Sequence, residues 1–339
     1  MHIKRSVAAL STLALLTSGL VACSSDDDAD TSTTSNETTT SDASDATANE
    51  WPRTVEHELG ETELTAQPTR IVSTSITLTG TLLAIGAPVT ASAATNPSDL
   101  TDDQGFFSQW ADIATDQGVD VLYPGLEFDM EALIAADPDL VVISTSGADS
   151  VKDHYEEISE LFPTVAYDYS DSDWQDLAVE LGDATGLEDE ADAAITEFDD
   201  YVSDAAAKIT PPEGEVNIVS YNGPGENQGI AKKAGAQSQL LEALGLNVAE
   251  APEDLDASPQ KRSDFAFVSF ENLSQAITGD TIFLISATDA EVADFLGEPV
   301  LANLAAVESG QVYPLGLTSF RIDPYSGREV VDAVVTALT

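Results

Sequence analysis

From residue 51 onward, short apolar runs alternate with segments whose apolar residues recur every three or four positions. Residues 70–75 form a β-rich run, residues 79–86 follow with helical spacing, and residues 87–93 are a second apolar stretch. Residues 129–136 read as a helix that stops at Asp137-Pro138. Residues 140–144 are a continuous apolar run, the pattern of a parallel strand buried on both faces. Residues 151–161 are helical again, Pro163 breaks them, and residues 164–167 make another short strand. The same rhythm returns after residue 213, with strands at 215–221, 281–285 and 311–315 and helices at 238–244, 270–277 and 302–307. Strand and helix in alternation predict an α/β protein with a parallel sheet in each half.

Between the halves lies the longest helical pattern, residues 173–181 and then 188–209. The second piece sets Ala191, Ile195, Phe198 and Val202 on one stripe, and Pro211 and Pro212 end it. At ~1.5 Å per residue it makes a rod of about 33 Å. Periodicity alone fits an ordinary core helix as well as a rod joining two lobes. With the rod, the chain divides into a lobe at 51–186, a bridging helix at 187–212 and a second lobe at 213–339.

The first 50 residues have a different pattern. Lys4 and Arg5 precede an apolar run from Val7 to Leu20, which ends at Leu20-Val21-Ala22 and the single cysteine, Cys23. This is the layout of an export signal, and it resembles the bacterial lipobox, in which the cysteine is diacylated after cleavage. A run of fourteen residues spans about 21 Å, too short for the ~30 Å hydrocarbon core of a bilayer. The expectation is a lipoprotein signal at 1–22, a lipid anchor at Cys23, and a protein held at the outer face of the cell membrane. Residues 24–50 are nearly all Ser, Thr, Asp, Ala and Asn, with nothing large and apolar to bury, so the expectation there is a disordered acidic linker. With Cys23 lipidated, the folded part holds no disulfide.

Charge narrows the class of partner. The chain carries 61 acids against 12 bases, net −49, and loss of Lys4 and Arg5 with the signal leaves ten bases and net −51. A surface this acidic argues against nucleic acid or an anionic membrane face as a partner. The bases are unevenly placed: Lys232, Lys233, Lys261, Arg262, Arg321 and Arg328 all follow Pro211. Bases so few and so grouped point to a bound anion.

The chain resembles the siderophore-binding lipoproteins of ABC importers, whose two Rossmann-like α/β lobes are bridged by one long helix, the class III periplasmic-binding-protein architecture. The resemblance is carried by residues 68–73 (Pro-Thr-Arg-Ile-Val-Ser), 82–86 (Leu-Leu-Ala-Ile-Gly), 130–142, 240–246 (Leu-Leu-Glu-Ala-Leu-Gly-Leu) and 270–273 (Phe-Glu-Asn-Leu). Within the family it is most similar to the ferric-enterobactin binding proteins, through residues 101–110 and 311–327. It implies a non-enzymatic, monomeric binder that captures a ferric siderophore, a catecholate, and hands it to an ABC permease. Iron enters as part of the ligand, with no cofactor and no metal ligand from the protein. A haem or cobalamin binder on the same scaffold is the nearer alternative; a glycosidase-like pair of carboxylates is the remote one.

A ferric tris-catecholate is a trianion with flat rings, so its site needs cations, donors and aromatic faces. The resemblance implies Arg321 as the principal anion contact, just past the carboxyl end of the strand at 311–315, where open α/β sheets place ligands. Its planar fork can reach two oxygens at once; an ion pair with Asp323 is the competing reading. Lys261, Arg262, Lys232 and Lys233 are further cationic candidates, and Tyr325, Tyr221 and Trp110 aromatic ones. Phe107 and Tyr123 are weighed as walls too, Phe107 more as core. Similar proteins have an arginine near Asp99 and an aromatic near Ala231, and this chain has neither. Glu131 and Glu271, each opening a helix, match the glutamates that dock on the permease; helix capping is the simpler account of both.

Other chemistries find little support. There is no Gly-x-Ser-x-Gly elbow and no Walker loop, and residues 223–229 miss the dinucleotide spacing. His57 and His154 are the histidines left after the signal, too few for a zinc or manganese binder.

Overall fold

The structure, a computed structural model, describes residues 51–170 and 172–339. The signal, Cys23 and the linker lie outside the described residues.

The first lobe opens with a hairpin, β1 (Arg53–His57) and β2 (Gly60–Leu64). It continues through β3 (Ile71–Ser73), α1 (Ile76–Ala84), β4 (Val89–Ser92), α2 (Ala111–Gln117) and β5 (Asp120–Val121). Then come α3 (Met130–Ala136), β6 (Leu140–Ser144), α4 (Tyr155–Ser159), β7 (Thr164–Tyr167) and α5 (Trp174–Thr185). Its five-stranded sheet has the order β5-β4-β3-β6-β7, every pair parallel. All five residues of β6 are buried, as a central strand covered by helices on both faces requires. The chain winds outward from β3 in one direction and from β6 in the other. The carboxyl ends of β3 and β6 therefore flank the switch point, where such sheets form a crevice.

The bridging helix α6 runs Glu188–Ala206, 19 residues and about 28 Å, shorter than the 22 residues expected. Ala191, Phe198 and Val202 are buried as the stripe predicts, whereas Ile195 is half-buried and Ala205 completes the buried face. Phe198 packs edge-on against Trp174 of α5 at 5.1 Å.

The second lobe comprises β8 (Glu215–Ser220), β9 (Asn227–Ala231), α7 (Ala236–Ala243), β10 (Asn247–Val248), β11 (Phe265–Ser269) and α8 (Leu273–Ala276). It ends with β12 (Thr281–Ile285), α9 (Asp289–Gly297), α10 (Ala305–Ser309), β13 (Val312–Pro314) and α11 (Pro324–Leu338). Its sheet is mixed, which corrects the expectation of a parallel one. β10, β8, β12 and β13 pair in parallel, but β8 with β9 and β9 with β11 are antiparallel. β9 follows β8 through a short loop that a parallel crossover could not use, and β11 returns to its edge after α7 and β10.

Helix α11 fastens the bridge to the second lobe. Arg328 pairs with Glu197 at 3.0 Å, and the Tyr201 hydroxyl donates to Asp332 at 2.5 Å. Gly327 lies where an added Cβ would come within 2.8 Å of the Phe198 ring, so only a glycine lets the two helices approach this closely. One continuous apolar core runs from Leu78 and Leu82 of α1 through Phe198 and Val202 to Leu240, Val330 and Val334. Bridge and lobes thus share this core, and each lobe holds a further cluster of its own.

Candidate functional site

A cleft of about 680 Å³ lies between the lobes. Its first-lobe wall is made by loops at the carboxyl ends of strands: Ile76 and Thr77 after β3, Ser146 to Asp149 after β6, and Tyr169 after β7. The second-lobe wall is made by Gln237 at the start of α7, by Arg262 to Phe265 leading into β11, and by Phe320 to Ile322 after β13.

Arg321 is in this wall. It follows a 3-10 turn, Leu317–Phe320, which carries the chain from β13 over the cleft. Its guanidinium carbon stands 4.2 Å from the centroid of the Tyr169 ring in the opposite lobe. Among the described residues it makes no ion pair. Asp323, the expected rival partner, is turned inward: it caps α11, accepting from the amides of Tyr325 and Ser326, and receives Gln109 Nε2 from the first lobe at 2.9 Å. Burial raises the pKa of Asp323, although those hydrogen bonds work to lower it.

Arg262 also lines the cleft, but its fork is committed to Asp264, with Nε 2.8 Å and Nη2 2.5 Å from the two carboxylate oxygens. The three lysines are not brought to the cleft, which corrects that expectation. Lys232 and Lys261 both turn to one carboxylate, Asp256, at 3.2 and 3.4 Å, and Lys233 pairs with Glu242 at 3.7 Å. Asp256 also accepts from the Ser258 hydroxyl and the amides of Ser258 and Phe267. Burial works to raise its pKa, yet these donors and Lys232 hold it well below the usual carboxylate range.

The aromatic candidates are redistributed. Trp110 is 1% exposed and sits in the core beside Phe106 and Gly80, so it is not a cleft wall. Tyr123 is buried and donates to the Thr74 carbonyl. Tyr221 packs on Phe295, with its hydroxyl on Glu298, outside the cleft. Tyr325 is half-buried in the first turn of α11 and does not line the cleft either; burial, then Asp323, pushes its pKa up to about 12. Phe107, expected as core, does line it, edge-on to Phe320 of the other lobe at 5.3 Å.

Tyr169 and Phe265 were not anticipated from the sequence. Phe265 pairs across the sheet with Ala231, so an aromatic reaches the cleft from beside the position where one was missing. Asp99 is exposed and contributes nothing to the cleft lining.

Among the described residues no group of three or more His, Cys, Asp or Glu side chains is arranged to hold a metal ion. A smaller hollow of about 390 Å³ lies between α6 and α7, lined by residues such as Phe198, Leu240 and Ala243 and by no base, which makes it the poorer place for an anion. Glu131 is exposed in the first turn of α3, behind the Asp129 cap. Glu271 is exposed in a 3-10 turn, Phe270–Asn272, that leads into α8. No helix among the described residues is long and apolar enough to cross a membrane.

A family described as periplasmic binding protein matches residues 71–316. The ferric enterobactin-binding periplasmic protein FepB of Escherichia coli is 40% identical over 288 residues, covering 84% of this chain and 90% of that protein. The crystal structure of holo-ViuP superposes with a TM-score of 0.78 at 41% identity, covering 86% of this chain and 96% of the other. PiaA of Streptococcus pneumoniae, solved in complex with ferrichrome, shares the fold at 19% identity, with a TM-score of 0.67 over 84% of this chain and 97% of the other.

Proposed function

We infer the function from one premise: the chain belongs to the periplasmic binding protein family, with the two-lobe, helix-bridged architecture of its class III members. It is an extracytoplasmic solute-binding protein that captures a ferric siderophore, a catecholate such as ferric enterobactin, between its lobes and delivers it to an ABC permease for iron uptake. It binds and releases its ligand unchanged and is not an enzyme. Cys23 carries the lipid that holds it at the outer face of the cell membrane, residues 24–50 are the tether, and the protein works as a monomer.

One observation carries the ligand assignment. In a chain of net −49, an arginine without an ion pair among the described residues faces the 680 Å³ cleft, backed by an aromatic ring. That volume lies within the ~300–1,000 Å³ of small-ligand sites. Arg321 offers the trianion two parallel donors, and Phe265, Phe107 and Phe320 offer faces or edges to its rings. The siderophore saturates its own iron, so carboxylate or imidazole ligands from the protein are unnecessary.

The experiment is a titration of the purified domain, followed by quenching of its tryptophan fluorescence, with ferric enterobactin, a ferric hydroxamate, haem and a cobalamin. Saturable quenching by the catecholate at the lowest concentration supports the assignment. Tighter binding of haem or the cobalamin overturns it.

A further inference from the structure

We propose that Asp149 and Tyr169 are positioning residues of the cleft. Asp149 fixes the Tyr169 ring as a platform on which Arg321 of the opposite lobe is stacked, so that the guanidinium is presented before the ligand arrives. The inference rests on the reading that Arg321 meets the ligand.

The anchoring is built into the switch point of the first-lobe sheet. Asp149 is 4% exposed in the loop after β6. One of its oxygens accepts from the Ser75 hydroxyl at 2.6 Å and the Thr77 amide at 3.1 Å, in the opening turn of α1. Its other oxygen accepts from the Tyr169 hydroxyl at 2.5 Å. Burial first, and then Asp149, push the Tyr169 pKa up, so the phenol keeps the proton that it donates. The loop leaves room for this bond at one residue, Gly147, which has φ +78° and where an added Cβ would fall 1.5 Å from the Tyr169 oxygen. Any side chain there would displace the hydroxyl.

A buried carboxylate beside an anion site is otherwise a liability, since it repels the ligand. Here its charge is directed to three donors, and it meets the tyrosine at the hydroxyl while Arg321 lies over the ring. A phenol that donates to a carboxylate gains electron density on its ring, which strengthens the attraction of the ring face for a cation. Among the described residues Arg321 makes no side-chain hydrogen bond or ion pair, and the Tyr169 ring is the side-chain contact it does make. Stacking restricts a long, flexible side chain in advance, which reduces the ordering cost when ligand binds.

The test is a double-mutant cycle, with ferric enterobactin as probe, combined with an NMR measurement on the ligand-free protein. Tyr169→Leu is expected to weaken binding about tenfold, and Tyr169→Phe, which keeps the ring face and loses the tie to Asp149, about threefold. Added to Arg321→Ala, Tyr169→Leu costs less than about twofold more, because the platform then has nothing to hold. Without ligand, the ring current shifts the Arg321 Nε proton upfield. Tyr169→Phe and Asp149→Asn keep part of that shift, and Tyr169→Leu abolishes it. Fully additive losses, or an unshifted Arg321 proton in the parent, overturn the proposal, and the second criterion stands even if Tyr169→Leu does not fold. A parent that ignores ferric enterobactin yet shows the shifted proton contradicts the ligand assignment while supporting the platform.

Discussion

The Arg321 guanidinium of the second lobe stacks 4.2 Å from the ring of Tyr169 in the first. It joins two further contacts across the same seam, Phe107 on Phe320 at 5.3 Å and Gln109 on Asp323 at 2.9 Å. The three residues of the second lobe, Phe320, Arg321 and Asp323, lie within four positions of each other, between β13 and α11. One short loop therefore carries both the seam between the lobes and the cation that faces the cleft.

Arg321→Ala is expected to weaken binding of ferric enterobactin by about 10- to 150-fold, the loss of a charge-assisted contact of ~1.5–3 kcal/mol. Arg321→Lys recovers part of this, because a point charge does not reproduce the fork. Binding by the parent also weakens with added salt, which screens the attraction of the ligand to Arg321. Fluorescence titrations at two ionic strengths check all three outcomes.

Glu131→Ala and Glu271→Ala are expected to leave the dissociation constant unchanged and to reduce iron uptake in cells, the double variant most. Both carboxylates are exposed and neither lines the cleft. Loss of binding by either purified variant would assign that glutamate to the pocket or to the fold.

The cleft is expected to close little on its ligand. Helix α6 is tied to α11 by Glu197–Arg328 and Tyr201–Asp332, and it shares its core with both lobes, so a wide hinge motion would break packed contacts. Small-angle scattering with and without ferric enterobactin checks this, and a contraction of several ångströms would contradict it.

Asp256 gives a pH dependence whose sign follows from its lowered pKa. Its pKa in the unfolded chain is about 3.9, so the carboxylate contributes its full stabilisation above that value. The contribution is lost as the pH falls through the lower, folded-state pKa. Asp256→Asn is expected to cost roughly 1–2 kcal/mol at pH 7. The gap between parent and variant narrows as the pH drops below about 4. Thermal melts across that range, with the gap widening instead, would refute the assignment.

Much of the scaffold is legible from residue pattern. The four consecutive apolar residues of β6, Leu140 to Ile143, read as a buried strand, and the Phe198 stripe marks the long helix, though not that it is a bridge. Elements that depend on contacts made elsewhere are not legible. The β1–β2 hairpin buries only Val55 and Leu64 and has no apolar run. Strand β11 is a half-covered edge strand, and β9 beside it holds Gly229. Helix α11 begins within residues 311–327 and runs on through a stretch without a clear pattern, although Asp323 and Ser326 form its capping box and Pro324 opens it.

The site follows the same division. The rule that ligands gather at the carboxyl ends of parallel strands places Arg321, and applied to aromatics after β7 it would also have placed Tyr169. Lys232 and Lys261 were misplaced because Asp256, distant from Lys232 in sequence, collects both ammonium groups. Trp110 was misplaced because a glycine one helix away, Gly80, opens room for its ring in the core.

On the proposed function, a ferric catecholate sits between the lobes, held by Arg321 and the aromatic walls, with its iron untouched by the protein. Anomalous scattering at the iron edge, from crystals grown with ferric enterobactin, tests it most directly. One iron peak is expected inside the cleft lined by Arg321, Tyr169 and Phe265, with only catecholate oxygens at coordination distance. A peak outside that cleft, or one coordinated by a protein carboxylate or phenolate, would contradict it.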